Sequence, residues 1–241
     1  MRKSTKAGKD GLPGGELLRP VLHRRREGGR VLASVVWKAG PGWRMLSSGV
    51  LGGGLGERSF VLNAQVDGDY RRIDPAAHLA EIAAAARMRG PGVGMMTAAD
   101  VTGVRLGADG GVEALATVGI GRPTWAADAA ELDEARLDAP LAGPPPGTIN
   151  IVVAVPVPLS DAALVNLAAT VTEAKVQAVM EAGFACTGTA SDAICLACPV
   201  DDGAHAPDPF GGPRSRWGAR AARAVHTAVR EGALQDAARR G

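Results

Sequence analysis

Thr148-Ile149-Asn150-Ile151-Val152-Val153-Ala154-Val155-Pro156-Val157 decides the fold. The run is almost continuous in β-branched residues. An apolar run of this kind reads as a strand buried on both faces, which requires packed layers above and below it. Pro158 follows, and Ser160 then offers a hydroxyl as N-cap. A helix is predicted over 161–182, stopped by Gly183. A doubly buried strand feeding a long helix implies sheet and helix stacked in layers.

Working outward, the second half also predicts strands over 184–187 and 193–199. A Gly/Pro/Asp-rich loop covers 200–213, and an amphipathic C-terminal helix covers 218–239. On the N-terminal side, 30–37 and 44–48 read as strands joined by the turn Ala39-Gly40-Pro41-Gly42, a predicted hairpin. A glycine-rich loop occupies 49–56 and a third strand 60–66. Asp74-Pro75 starts an Ala-rich helix that runs to about Met88, with Asp74 as N-cap and Pro75 at its first position. Strands follow at 93–97 and 101–106. Asp109-Gly110-Gly111 is a hairpin turn, and 113–119 is its returning strand. Residues 123–147, rich in Pro, Ala and acids, form a linker or surface loop. The expected class is α+β (mixed α/β): a layered sheet with flanking helices, including the helices over 161–182 and 218–239.

The chain has 241 residues and 46% hydrophobic content, enough for a substantial core. Aromatics are only 3%, so the apolar content is mostly small and aliphatic. Residues 1–30 carry nine Lys/Arg against three Asp/Glu, whereas 31–241 carry 18 against 22. The first 30 residues are therefore read as a disordered basic tail, and 31–241 as one domain. No aromatic or Gly-Arg interleaving accompanies the basic residues, so nucleic-acid binding is not expected. No apolar run reaches the ~18 residues of a membrane span, and no signal-type apolar segment follows the basic start. Three cysteines do not make a disulfide framework. A cytoplasmic location is expected.

Several clusters set small polar side chains beside buried runs. Asn166, Thr170, Glu173 and Gln177 are spaced to share one face of the predicted helix, with Leu164, Leu167, Val171, Ala174 and Ala178 opposite. That polar face is either a solvent-facing stripe or a pocket wall, in which Glu173 would be an acid/base and Lys175 its electrostatic partner. Thr148 and Asn150 point the same way from their strand. The Asn150 amide can donate to a developing oxyanion, or it satisfies neighbouring backbone groups. Thr187-Gly188-Thr189-Ala190-Ser191-Asp192 is a turn of hydroxyls. It can cradle an anion or amide through its N–H groups, with Asp192 orienting a nucleophile or water, or it is a polar turn closed by an Asx-type hydrogen bond. The glycine loop lacks both the dinucleotide spacing and the Lys-Ser/Thr of a phosphate loop. Cys195 and Cys198 match C-x-x-C, but three residues apart on a strand they face opposite sides, and no metal site is expected. His23, His78, His205 and His226 form no recognisable ligand set.

The order of these clusters resembles the adenosylcobinamide amidohydrolase family over about residues 45–232. The shared features are Leu46-Ser47-Ser48-Gly49, the glycine loop with Leu62-Asn63 beyond it, Tyr70 with Asp74-Pro75, and Val93-Gly94-Met95-Met96-Thr97-Ala98-Ala99. They continue through Thr117-Val118-Gly119-Ile120, Pro146-Gly147-Thr148-Ile149-Asn150-Ile151 and Thr172-Glu173-Ala174-Lys175 with Gln177-Ala178. Gly188-Thr189-Ala190-Ser191-Asp192-Ala193, Gly218 and Ala224-Val225 complete the series. The resemblance implies hydrolysis of the amide joining a corrin propionate arm to aminopropanol, giving adenosylcobyric acid for cobalamin salvage. It implies a corrinoid substrate and no required cofactor or metal.

On that basis Asn150, Glu173, Lys175, Asp192 and Thr189 are the expected catalytic residues. Thr148, Thr97, Ser48, Gly53, Gly188 and Asn63 are expected to bind substrate. The glycine loop, Met95-Met96 and 200–213 would border a wide apolar pocket. A small-molecule corrinoid is the expected partner, with no nucleic acid and no membrane, and a homo-oligomer is compatible. Two alternatives stand beside this reading. One is a corrinoid-binding protein without turnover. The other is an amidase acting on another small amide after cleavage at Gly147-Thr148, which would expose an N-terminal Thr nucleophile.

Overall fold

The computed structural model describes residues 6–7, 12–127, 147–203 and 206–240. In chain order it contains β1 (Lys6–Ala7), β2 (Pro13–Gly14), β3 (Pro20–Glu27), β4 (Arg30–Trp37), β5 (Trp43–Ser47), β6 (Gly54–Glu57) and β7 (Phe60–Gln65). Helix α1 (Pro75–Ala85), β8 (Gly92–Thr97), β9 (Arg105–Asp109), β10 (Val112–Gly119) and β11 (Thr148–Ala154) follow. Helix α2 (Asp161–Glu181), β12 (Ala193–Pro199) and α3 (Arg216–Arg240) complete the order.

Every residue of β11 is buried, and the strand lies inside a six-stranded sheet of order β6-β5-β12-β11-β10-β9. Its side chains alternate between two cores. Ile149, Ile151 and Val153 meet α2 and α3, whereas Val152 and Ala154 meet a second sheet of order β3-β4-β7-β8. The outer face of that second sheet is covered by α1 through Leu79, Ile82 and Ala83. The layers therefore run helices, sheet, sheet, helix, an α+β fold. Each sheet contains one parallel pair, β11 with β12 and β7 with β8. Each pair is bridged by a helix, α2 and α1 respectively. Ser160 caps α2 by accepting from the Ala163 N–H, as its position implies.

Five expectations change. Residues 20–30 are not a disordered tail: β3 pairs with β4 along its whole length. Gly28 and Gly29, both at positive φ, form the two-residue turn between them. Leu12 and Leu18 are buried in the inter-sheet core, so the segment before β3 also belongs to the fold. Lys6–Ala7 pair with Pro13–Gly14 as a short strand pair, and residues 1–5 and 8–11 of the expected tail lie outside the described residues.

The strand at 43–47 does not form a hairpin with β4. It pairs with β12 and β6, because chain length between neighbours does not fix sheet partners. Val101–Gly103 is a 3-10 turn and not strand, capped by the Asp100 side chain. Residues 184–187 carry no strand. The α1 cap is also different: Arg72 takes both Asp74 carboxylate oxygens, so the Asp74 side chain caps nothing although Pro75 opens the helix. Most of the expected 123–147 loop lies outside the described residues.

Candidate active site

β11 and β12 run in the same direction, so their first residues open at one end of the six-stranded sheet. The antiparallel neighbours finish there: Gly119 of β10 stands opposite Thr148, and Ser47 of β5 opposite Cys195. Helix α2 returns along the sheet and brings its C-terminal half back to this end. Lys175, Thr148 and the 187–192 loop therefore meet although they are far apart in sequence.

At the centre is Asp192. Its Oδ2 accepts from Lys175 Nζ at 2.6 Å and from the Thr189 N–H at 3.2 Å. Its Oδ1 accepts from the Ile149 N–H at 2.9 Å and the Thr189 hydroxyl at 2.5 Å. The two charged side chains are only 11% and 12% exposed, so each is the other's main compensation for lost hydration. Gly188 lies against the pair at φ +151; a Cβ there would stand 2.2 Å from Asp192 Oδ2 and 2.6 Å from Lys175 Nζ. The loop must carry glycine at this position for the ion pair to fit beneath it. Beside it, the Thr148 and Ser191 hydroxyls are 2.9 Å apart, and Ser191 Oγ also donates to Gly147 O at 3.3 Å. Ser191 is exposed, so this group of hydroxyls borders solvent.

Asn150, two residues beyond Thr148 and on the same strand face, is 1% exposed. Its Nδ2 donates to Asn63 Oδ1 at 2.8 Å and to Met96 O at 2.9 Å, which commits both amide hydrogens. Asn63 Nδ2 donates in turn to Thr117 Oγ1 at 2.8 Å. These residues tie the two sheets together behind the Asp192 centre. The geometry corresponds to the alternative in which Asn150 satisfies its neighbours and not a substrate oxyanion.

Other expected residues lie at varying distances from Asp192. Ser48 Oγ accepts from the Ile194 N–H, two residues from Asp192 in sequence. Thr97 is buried and its hydroxyl accepts from the Ala99 N–H. Gly53 backs onto the Gly49 and Ser47 carbonyls, inside the glycine loop.

Glu173 is exposed and lines a groove of about 260 Å³ between α2 and α3 with Gln177, Arg223 and His226. Residues two apart on a helix point about 200° apart, so Glu173 and Lys175 do not share a site. Thr170, Glu173 and Gln177 of the polar face border this groove, away from Asp192. The 206–213 segment packs on the first half of α2, with Thr170 Oγ1 donating to Gly211 O, and so lies away from this centre.

In the sequence Thr117 and Ser191 stand out only as members of longer motifs, with no role of their own, and Trp125 does not stand out. Thr117 stands directly opposite Asn150, a register invisible before β10 and β11 are paired. Trp125 is 42% exposed. It is flanked by residues fastened to the 187–188 loop: the Thr124 N–H donates to Gly188 O, and the Ala126 N–H to Thr187 Oγ1. Cys195 and Cys198 face the two different cores, and burial pushes the Cys195 thiol up to about 12 and raises Cys198.

The sequence profile of the adenosylcobinamide amidohydrolase family matches residues 20–241. A protein of Halobacterium salinarum named adenosylcobinamide amidohydrolase is 44% identical over 87 residues, a stretch that spans 36% of this chain and 36% of that relative.

Proposed function

The chain belongs to the adenosylcobinamide amidohydrolase family, and from that premise we propose that it hydrolyses the amide between a corrin propionate arm and aminopropanol in adenosylcobinamide. The products would be aminopropanol and adenosylcobyric acid, the latter returning to cobalamin synthesis. The observation that carries this reading is the buried Lys175–Asp192 pair set among the hydroxyls of Thr148, Thr189 and Ser191 at the open end of the sheet.

A carboxylate has about four acceptor positions. Those of Asp192 are filled by Lys175, Ile149 N–H, Thr189 N–H and Thr189 Oγ1. Among the described residues, the only hydroxyl proton already on the carboxylate is that of Thr189. In the proposed mechanism Asp192 takes this proton as Thr189 Oγ1 attacks the amide carbonyl. Backbone N–H groups of the 188–191 turn other than that of Thr189, which is spent on Asp192, receive the oxyanion. The leaving nitrogen is protonated at the Lys175–Asp192 pair and departs as aminopropanol, leaving an ester on Thr189. Water then cleaves the ester: its oxygen joins the carbonyl carbon to give the acid, and one of its protons restores the Thr189 hydroxyl. The chemistry uses side chains and water. Lys175 holds Asp192 in place through their 2.6 Å contact, and Asn150 holds the strands behind it without touching substrate.

The first test is incubation of the purified protein with adenosylcobinamide and analysis of products by chromatography and mass spectrometry. Adenosylcobyric acid is the expected product. Intact substrate with demonstrably folded protein would refute the reading, and corrinoid binding without turnover would favour a carrier. Thr189→Ala and Asp192→Asn should each lower kcat by about 10²–10⁴-fold, while Thr189→Ser retains most activity. Wild-type rates in Thr189→Ala would remove it as nucleophile.

One observation favours a second reading. Ser191 Oγ touches both Thr148 Oγ1 and Gly147 O, the two oxygens involved if the chain cleaves itself before Thr148. Denaturing mass spectrometry separates the two: an intact chain keeps Thr189, and fragments split before Thr148 transfer the role to Thr148.

A further inference from the structure

Between the two sheets, behind the Asp192 centre, lies a cavity of about 20 Å³ whose lining residues are all buried. Six of its nine lining residues are apolar, and the polar three are Asn63, Thr117 and Asn150. The hydrogen-bond inventory of those three does not close. Asn150 Oδ1 is fully buried and has no donor. Thr117 Oγ1 accepts from Asn63 Nδ2, yet its own hydroxyl proton has no acceptor among the described residues. Nor does rotating the Asn150 amide resolve the imbalance. Its Nδ2 faces Met96 O, which can only accept, so turning the amide would set two oxygens against each other. Trp37, which also lines the cavity, spends its N–H on Leu17 O and supplies no donor.

We propose that this cavity is a built site for one water molecule, which accepts from the Thr117 hydroxyl and donates to Asn150 Oδ1. The size fits, since one water needs roughly 10–15 Å³ of such space. The partners also fit: buried waters make two to four hydrogen bonds, and the free second hydrogen of Asn63 Nδ2 can supply a third. Thr117 and Asn150 are cross-strand partners on one face of the sheet, which places both groups at the same wall. With the water in place every polar group of the node is paired. The node then links β7, β8, β10 and β11 by hydrogen bonds through an otherwise apolar interface. The water is structural and distinct from the one that cleaves the ester, because the cavity is lined by buried residues and by none of the Asp192 centre.

A crystal structure of the full chain at a resolution showing ordered water tests this directly. One isolated peak within hydrogen-bond distance of both Asn150 Oδ1 and Thr117 Oγ1 is expected. An empty cavity, or Asn150 Oδ1 paired with a protein donor, overturns the proposal. Val104→Ile provides a second measurement, because Val104 lines the cavity. In a dry void the added methylene fills space and raises the thermal midpoint, which also overturns it. A lowered midpoint together with loss of the peak from the variant's structure supports it, because the methylene then displaces a bonded water. Neither measurement depends on the substrate assignment, so the two can fail separately.

Discussion

Asp192 shows how much of the site one residue organises and how little of that is visible from its neighbours in sequence. Its partners are Thr189, three residues away, and Lys175 and Ile149, which lie 17 and 43 residues away. The turn chemistry of 187–192 was legible, because small hydroxyl residues before a hydrophobic strand announce a polar loop. The pairing with Lys175 was not, because it exists only once α2 returns along the sheet. The separation of Glu173 from Lys175, by contrast, follows from helical geometry alone. Two residue-scale predictions follow from burial. Lys175→Met leaves the Asp192 charge buried without its cation and should cost about 3–5 kcal/mol in denaturant unfolding; a change below 1 kcal/mol would mean water reaches Asp192 freely. Cys195, with its thiol pushed up to about 12 by burial, and Cys198, raised for the same reason, should resist alkylation at neutral pH in the native protein and react on unfolding. Rapid native labelling at either position would contradict their place in the cores.

At the scale of elements, β11, α2, β12 and α3 were legible because local signals agreed: a β-branched run, a Ser cap, a glycine stop and a helical period. β3 was missed because Pro20–Glu27 is half charged and shows no alternation. Its charges are those of an edge strand, which is protected from further pairing by such residues. Arg25 is nevertheless satisfied there, by Glu27, Ser34 and Gln65 O. The partner of β5 was missed for a different reason: β12 is about 150 residues away, and Met45 and Cys195, 150 apart in sequence, bring their sulfurs within 3.8 Å across the two strands. Local patterning fixes where strands are and leaves open which strands they join. A single carboxylate holds the segment before β3. Buried Glu113 on β10 accepts the N–H groups of Glu16, Leu17 and Leu18 at 2.6, 3.1 and 2.7 Å. Glu113→Ala strands those donors and should lower stability by about 2–4 kcal/mol, and Glu113→Gln should cost less. Equal unfolding midpoints for wild type and Glu113→Ala would show that this clasp does not hold.

Across the whole molecule, two sheets share one core, and the N-terminal segment closes it. Leu12 and Leu18 lie in the inter-sheet cluster with Trp37, Val152 and Cys195, and the Trp37 N–H donates to Leu17 O. A basic, glycine-rich start reads as a tail by composition, because composition averages over the two leucines that are buried. Removing residues 1–19 distinguishes the two descriptions. A tail would come away without changing the unfolding midpoint. Here removal exposes apolar core, where each buried leucine contributes roughly 1.5–3 kcal/mol, and leaves Glu113 buried without its three donors. Against a typical total stability of about 5–15 kcal/mol, the truncated chain should unfold at a much lower midpoint or fail to accumulate. A double-mutant cycle identifies the cause. If the clasp is the reason, Glu113→Gln, costly in the full chain, should be neutral or stabilising in the truncated one, because it removes a buried charge that no longer has partners. Equal costs in both backgrounds would separate Glu113 from the segment and leave the loss to apolar burial alone.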